Sequence, residues 1–398
     1  MIQEIRIKNY LSFRDEVVLS FEATKDTTFE ECQVVNVTPK VRLLRFALIY
    51  GANASGKSNL LNAMDFLRDF WFDKKSDIDE ETGVVPFLLD TETPNEPSEF
   101  NIKFFVGDKR YWYALVLDDK QVIKEDLYVY NSVQPSLVFS RELDGTASLI
   151  KLNASLVKAN ATIVEQLNVK CLSNMSFFAA RNQVNCSLAY IDEVRDWMKN
   201  NMMPIIQPGT RMFEYAGKQM EKNAELKAYI LDFVHKADYN ITDVYTEREK
   251  VPIPDIVKAS IMEDKDIPEK AKEKMLADNA LERLRTDFQH TVKNKRGEEN
   301  YRLPNSLQSE GTKRTFGIEA AIYEAIKTNG ILPIDEIESS LHPELVEFII
   351  EKFLKEKSRS QLIVTSHYDP LLNTVDDLIR KDSVWFTEKE KDGHTTLY

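Results

Sequence analysis

Residues 51–58 read Gly-Ala-Asn-Ala-Ser-Gly-Lys-Ser and follow the pattern G-x-x-x-x-G-K-S, which is suited to holding phosphate. Gly51 and Gly56 let the backbone wrap closely, so that N–H groups from Asn53, Ala54 and Ser55 through Asn59 face phosphate oxygens. A helix starting here adds unpaired donors and the positive end of its dipole. Lys57 is placed to reach the two outer phosphates of a nucleoside triphosphate, and Ser58 to give its hydroxyl to Mg2+.

Three further sets of residues carry chemistry. Ile331-Leu332-Pro333-Ile334 is an apolar run that ends in Asp335-Glu336. Paired carboxylates at a strand end suit two jobs: Asp335 can hold a magnesium shell and Glu336 can polarise an attacking water. Ser309-Glu310-Gly311-Thr312 stands directly before a helical segment. Taken alone it reads as an ordinary N-cap, with Ser309 capping, although Ser and Gly at a helix start can also bind phosphate. Val364-Thr365-Ser366 leads to His367. Taken alone His367 reads as a structural histidine, but the carboxyl edge of an open α/β sheet is also where ligands bind.

The surrounding periodicities supply elements to position these groups. Residues 43–50 form an apolar run without alternation, as in a strand buried on both faces, and Leu60, Leu61, Met64 and Leu67 share one face of the helix that follows. Alternation returns over 98–130, predicting a three-stranded antiparallel meander with turns at Gly107-Asp108 and Asp118-Asp119. Residues 154–236 read as mainly helical, with breaks at Pro204 and Pro208-Gly209. A charged helix is expected from 268 to 285, then a hairpin with its tip in KNKRGEEN at 293–300. Helices at 312–327 and 343–355 alternate with strands at 331–334 and 362–365, and closing strands are expected at 383–386 and 395–397. The predicted fold class is α/β. A P-loop head is built from both chain ends, 1–134 and 301–398, with an antiparallel β subdomain and an inserted, mainly helical lobe over 135–300.

The order of these motifs resembles that of the ABC ATPase superfamily, and within it the SMC, RecF and OLD branch. The opening IRIKNYLSFRDE, the loop IYGANASGKSNLLNAM, SLQSEGTKR and IDEIESSLHPEL are similar to the AAA-15/AAA-21 group of bacterial ATPases. That group includes the ATPase subunits of RloA-type and AbiL-type abortive-infection systems and of the PARIS anti-phage system. The resemblance implies ATP and Mg2+ as cofactors, with Glu336 catalytic and His367 a switch histidine on the γ-phosphate. It also implies that Ser309 and Gly311 act in trans across a head-to-tail dimer, and that Ser339-Ser340-Leu341-His342-Pro343 stands at the D-loop position. Three residues depart from the pattern: 84–90 holds no Q-loop glutamine, Glu310 replaces the usual glycine, and Pro333 lies inside the Asp-Glu strand.

Composition narrows the function classes. The formal charge of −13 disfavours sequence-independent DNA binding, which needs clustered Lys and Arg. Three widely spaced cysteines build neither a disulfide framework nor a zinc site, and they fit a reducing cytoplasm. No signal peptide or membrane span is expected. No sustained heptad run separates the head motifs, which argues against a long tethering arm. About 30 residues follow His367, too few for an appended Toprim nuclease domain. Phe177, Phe178, Trp197, Met202 and Met203 could mark a partner surface, although their type favours a local core. The expected function is that of an ATP-gated sensor in a two-component anti-phage system, controlling a separate Toprim-type nuclease. A RecF-like repair ATPase and a scaffold stabilised by nucleotide without turnover are the alternatives.

Overall fold

The computed structural model describes residues 1–145, 147–237, 240–263, 269–278 and 280–398. Strands β1 (Ile2–Lys8) and β2 (Val17–Ser20) open the chain, followed by a short helix α1 (Glu30–Gln33) and the hairpin of β3 (Val34–Thr38) and β4 (Val41–Leu44). Strand β5 (Phe46–Tyr50) runs into the 51–56 loop and helix α2 (Lys57–Phe70). Strands β6 (Ser98–Val106), β7 (Lys109–Leu117), β8 (Val122–Tyr130), β9 (Ser136–Asp144) and β10 (Ala147–Leu152) come next. Helices α3 (Ala161–Lys170), α4 (Phe177–Arg181), α5 (Ile191–Asn201), α6 (Met212–Lys222) and α7 (Ala224–Lys236) follow. Strand β11 (Ile241–Pro252), helices α8 (Asp255–Glu263) and α9 (Glu269–Asp278), and the hairpin of β12 (Ala280–Asn294) and β13 (Gly297–Pro304) lead to helix α10 (Glu310–Thr328). The chain closes with β14 (Ile331–Ile334), α11 (Pro343–Lys355), β15 (Gln361–Ser366), β16 (Val384–Lys389) and β17 (Thr395–Leu397).

The chain divides into two compact units. The first comprises residues 1–209, 324–339 and 346–398, and the second 210–323 and 340–345. Residues 135–300, read from the sequence as one inserted lobe, are shared between them.

Two sheets organise the first unit. One is a five-stranded sheet in the order β14-β15-β5-β16-β17, with the first four strands parallel and β17 antiparallel. Every residue of β14 and β15 is buried, and β5 is buried up to Tyr50. Such uninterrupted apolar runs form strands covered on both faces. The other is a seven-stranded antiparallel sheet, β10-β9-β8-β7-β6-β1-β2. Its strands alternate buried and half-buried positions, the period of two expected of a strand. The meander therefore has five strands rather than the three expected. Strands β9 and β10 carry a weak alternation signal because their inward positions include Arg141 and Ser148 while Leu149 is exposed.

The aromatic residues flagged as a possible partner surface belong to this core. Phe177 and Phe178 are fully buried, and Trp197 and Met202 nearly so. Trp197 stacks on Phe104 with ring centroids 4.2 Å apart, and Phe177 on Phe139 at 4.0 Å.

The apolar run 43–50 is interrupted at Arg45, between β4 and β5. Its guanidinium is buried and donates to the carbonyls of Leu354 (3.2 Å) and Glu356 (2.6 Å) at the end of α11, and to Cys32 O at 3.0 Å. A cation there satisfies carbonyls that a helix C-terminus leaves without partners and matches the negative end of the dipole.

Pro333 is accommodated because its sheet ends at β14. Ile206 N–H donates to Pro333 O at 3.0 Å, and Asp335 N–H donates to Ile206 O at 2.8 Å, on the flank away from β15. A strand residue directs its N and O to the same side, so the N–H that proline lacks would point to this outer flank, where proline is tolerated.

In the second unit β12 pairs with both β11 and β13. The stack of Phe213, Phe288 and Phe316, with centroids 5.0–6.3 Å apart, forms part of its interior. Helix α9 stops at Asp278, and the strand begins at Ala280, where the sequence suggested helix from 268 to 285. Residues 268 and 279 of that expected helix lie outside the described residues. Pairing from Pro252↔Ala280 to Ile241↔His290 overrides the helical composition of this stretch. The expected hairpin closes at Asn294↔Gly297, where Gly297 takes the left-handed φ of 112° that its turn requires.

Candidate functional site

The candidate site lies at the carboxyl ends of three adjacent parallel strands: β5 delivers the 51–58 loop, β15 delivers His367, and β14 delivers Asp335 and Glu336. Ligands bind at this edge in open α/β sheets.

The loop is held from several directions. Lys57 is buried and its Nζ donates to Gly51 O at 2.8 Å and Ala52 O at 2.9 Å, so the lysine spans its own loop. Burial pushes its pKa below the ordinary lysine value, while the carboxylates of Glu336, Asp335 and Glu338 oppose that shift. Ala54 and Gly56 adopt positive φ, 62° and 105°. Gly51 has no room for a side chain, because a Cβ there would meet Thr387 O at 2.6 Å. Asn53 and Ala54 are exposed at the loop tip, whereas Ser55 is buried.

Residues that the motif does not name complete the support. Ser55 Oγ lies 2.6 Å from Thr387 Oγ1 on β16. The Thr395 hydroxyl on β17 lies 2.9 Å from both Ser12 Oγ and Ser55 O. Asn59 Nδ2 donates to the same Ser12 Oγ at 2.8 Å. Ser12, Thr387 and Thr395 all lie far in sequence from the residues they support, and reading the sequence does not find them. Nothing in a hydroxyl residue on a short strand marks it in advance.

Asp335 connects the strands. Its Oδ1 accepts from Ser58 Oγ at 3.0 Å and from Thr365 Oγ1 at 2.5 Å. The hydroxyl and carboxylate are hard oxygen donors side by side. That set fits Mg2+, which takes one or two protein ligands and completes its octahedron with phosphate and water. Glu336 follows with a left-handed φ of 44°, and its N–H donates to Thr365 Oγ1 at 2.8 Å. A non-glycine residue in this region is costly and clusters at functional sites. His367 is exposed at the end of β15, where Glu338 Oε1 lies 2.9 Å from both its backbone N and its Nδ1.

The chain belongs to the AAA_21 family. The family is described as an AAA domain, putative AbiEii toxin, type IV TA system, and its model matches residues 46–151 and 213–373. Both matched segments carry motifs described above, so the chain is a P-loop ATPase by family, with the mixed α/β fold expected from its sequence. No curated protein matches it. Among solved structures it is similar to the SMC head domain from Thermotoga maritima, with 12% identity, a TM-score of 0.45, and 100% of this chain and 98% of that chain covered. It is also similar to an SmcHead solved in complex with the C-winged helix domain of ScpA, with 13% identity, a TM-score of 0.44, and 100% and 97% covered. Among the described residues no helix is long and apolar enough to cross a membrane.

Ser309 and Gly311 lie in the second unit, at the start of α10. Ser309 Oγ accepts from Thr312 N–H at 3.0 Å, the geometry of an N-cap. Gly311 is close-packed: a Cβ would come within 2.6 Å of Ser340 O. Glu310 is exposed to solvent and pairs with Lys313 at 2.8 Å.

Proposed function

We propose that this chain binds ATP with Mg2+ at 51–58 and hydrolyses it, working as a head-to-tail pair of chains or a higher assembly of such pairs. The observation that carries this reading is the Asp335 carboxylate held between Ser58 and Thr365 at the mouth of a P-loop. Lys57 and the loop N–H groups, from Gly51 to Asn59, bind the phosphates. Ser58 and Asp335 hold the cation, whose charge offsets that of the phosphates. Glu336 accepts a proton from water as its oxygen adds to the γ-phosphorus. The bond from that phosphorus to the β,γ-bridging oxygen breaks, releasing ADP and phosphate. His367 contacts the γ-phosphate, and Ser309 and Gly311 of a second copy cap it.

Under this reading Ser309→Arg leaves ATP affinity within about twofold and reduces turnover by about a hundredfold or more, because only closure across the pair is blocked. Equilibrium binding compared with phosphate release checks it, and equal loss of both would contradict an in-trans signature.

At the level of the cell, we propose a nucleotide-gated sensor in the cytoplasm that controls a separate toxic effector in a bacterial anti-phage system of the RloA, AbiL or PARIS kind. A Toprim-type nuclease is the expected effector. The family's description as a putative toxin of a toxin–antitoxin system supports a two-component arrangement. The test is affinity capture of the Glu336→Gln protein from its native host with ATP and Mg2+, read by mass spectrometry. A stoichiometric nuclease-like chain is expected; recovery of recombination proteins alone would replace this reading with DNA repair.

A further inference from the structure

The site contains a carboxylate that none of the roles above uses. Glu338 lies three residues beyond Asp335, its side chain only 13% exposed. Its Oε1 accepts from the backbone N–H of His367 at 2.9 Å and lies 2.9 Å from His367 Nδ1. Its Oε2 is buried and has no hydrogen-bond partner among the described residues. A buried carboxylate oxygen left without a donor is costly, and a purely structural residue would be expected to satisfy both oxygens. Glu338 instead spends its satisfied oxygen entirely on one histidine, gripping both main chain and ring.

We propose that Glu338 is a positioning residue that fixes the His367 ring for its contact with nucleotide. This rests on the nucleotide-site reading above and deepens it. A carboxylate can only accept, and a bare Nδ1 lone pair 2.9 Å away would repel it, so the contact favours the tautomer with the proton on Nδ1. The ring is thereby fixed in one tautomer and one orientation, and Nε2 is the nitrogen left for a ligand. Two contacts from one oxygen also hold the ring relative to the end of β15. The Asp335-Glu336 segment, which begins the turn leading to Glu338, is tied to that strand through Thr365. Glu338 therefore couples the position of the switch histidine to the turn that bears the cation ligand and the proposed base.

A double-mutant cycle on the full chain tests this. Steady-state ATP turnover is measured for wild type, Glu338→Ala, His367→Ala and the double variant, with Glu338→Gln as the conservative change. Glu338→Ala is expected to lower kcat about tenfold with KM nearly unchanged, as loss of alignment does. The double variant is expected to be no slower than His367→Ala alone, because a residue that acts through another adds nothing once that other is gone. Glu338→Gln should recover most of the turnover, since its carbonyl oxygen accepts from the same two N–H groups. The independent readout is the ring itself. Nitrogen-15 spectra, with His367 assigned by its loss in His367→Ala, should show a single Nδ1–H tautomer in wild type and a mixture in Glu338→Ala. Multiplicative losses of turnover in the double variant, or an unchanged tautomer in Glu338→Ala, would overturn the positioning role. A wild-type chain that turns over no ATP would count against the nucleotide-site reading instead, and the tautomer measurement would still decide on Glu338.

Discussion

Glu336→Gln is expected to lower kcat for ATP hydrolysis by about a hundredfold to ten-thousandfold, the range for removing a positioned general base, while ATP affinity stays within about twofold. The reasoning starts from the backbone. Glu336 holds a left-handed φ of 44° with its N–H on Thr365, and neither feature depends on the side chain's charge. Glutamine has the same shape and can adopt the same backbone, but it cannot take a proton from water. The neighbouring Ser58–Asp335 pair is untouched, so binding of the phosphates and cation should survive. With hydrolysis blocked and binding intact, the closed ATP state should accumulate. Phosphate release gives the rate, and light scattering after gel filtration with ATP and Mg2+ gives the mass. A variant that hydrolyses ATP at the wild-type rate removes Glu336 from the proposed mechanism. Loss of binding together with turnover would point instead to a structural role for the carboxylate.

The parts of this site that are legible in the sequence are those whose signal is local. The 51–58 loop is carried by glycine and lysine at fixed spacing, with a buried strand before it and an amphipathic helix after it. The bounds 331–334 and 343–355 can be read because an uninterrupted apolar run is stopped by Asp335 in one case, and a helix is opened by Pro343 in the other. Signals that depend on distant partners were not legible. Nothing local predicts that Thr387 and Thr395 support a loop more than 300 residues earlier in the chain. Nor does the sequence reveal that Pro333 faces the outer flank of its sheet, because the segment around Ile206 that covers it is set by tertiary packing. The first part of strand β12 fails as a prediction for a related reason. The composition of 280–285 suits a helix, and pairing with β11 makes it a strand. Glu338 falls between these cases. It is adjacent to a recognisable motif, yet its importance appears only when β15 brings His367 alongside.

Lys57→Ala should weaken ATP binding by about a hundredfold or more, equivalent to about 3 kcal/mol, the scale for losing charged hydrogen bonds in a partly buried site. The lysine has two sets of partners to account for. Before nucleotide arrives, its ammonium satisfies the carbonyls of Gly51 and Ala52. On binding it must exchange at least some of these bonds for phosphate oxygens, and the gain comes from the charge of the phosphates. Burial already disfavours its charged form, with the carboxylates of Glu336, Asp335 and Glu338 only partly offsetting this, so an arriving polyphosphate relieves an existing penalty. Alanine therefore removes both the phosphate contact and the brace across the loop. Lys57→Met keeps most of the apolar stem while discarding the ammonium, and so separates the stem's packing from the bonds the ammonium makes. If both variants lose affinity equally, the ammonium, through its bonds to phosphate and to the loop carbonyls, supplies most of the binding; if methionine retains most of the affinity, packing of the stem organises the loop. Equilibrium binding of a fluorescent ATP analogue measures the loss, with thermal melting to confirm that each variant remains folded. Affinity that survives Lys57→Ala in a folded protein would mean that phosphate does not sit in the 51–58 loop, and the roles proposed for Ser58, Asp335 and Glu336 would fall with it.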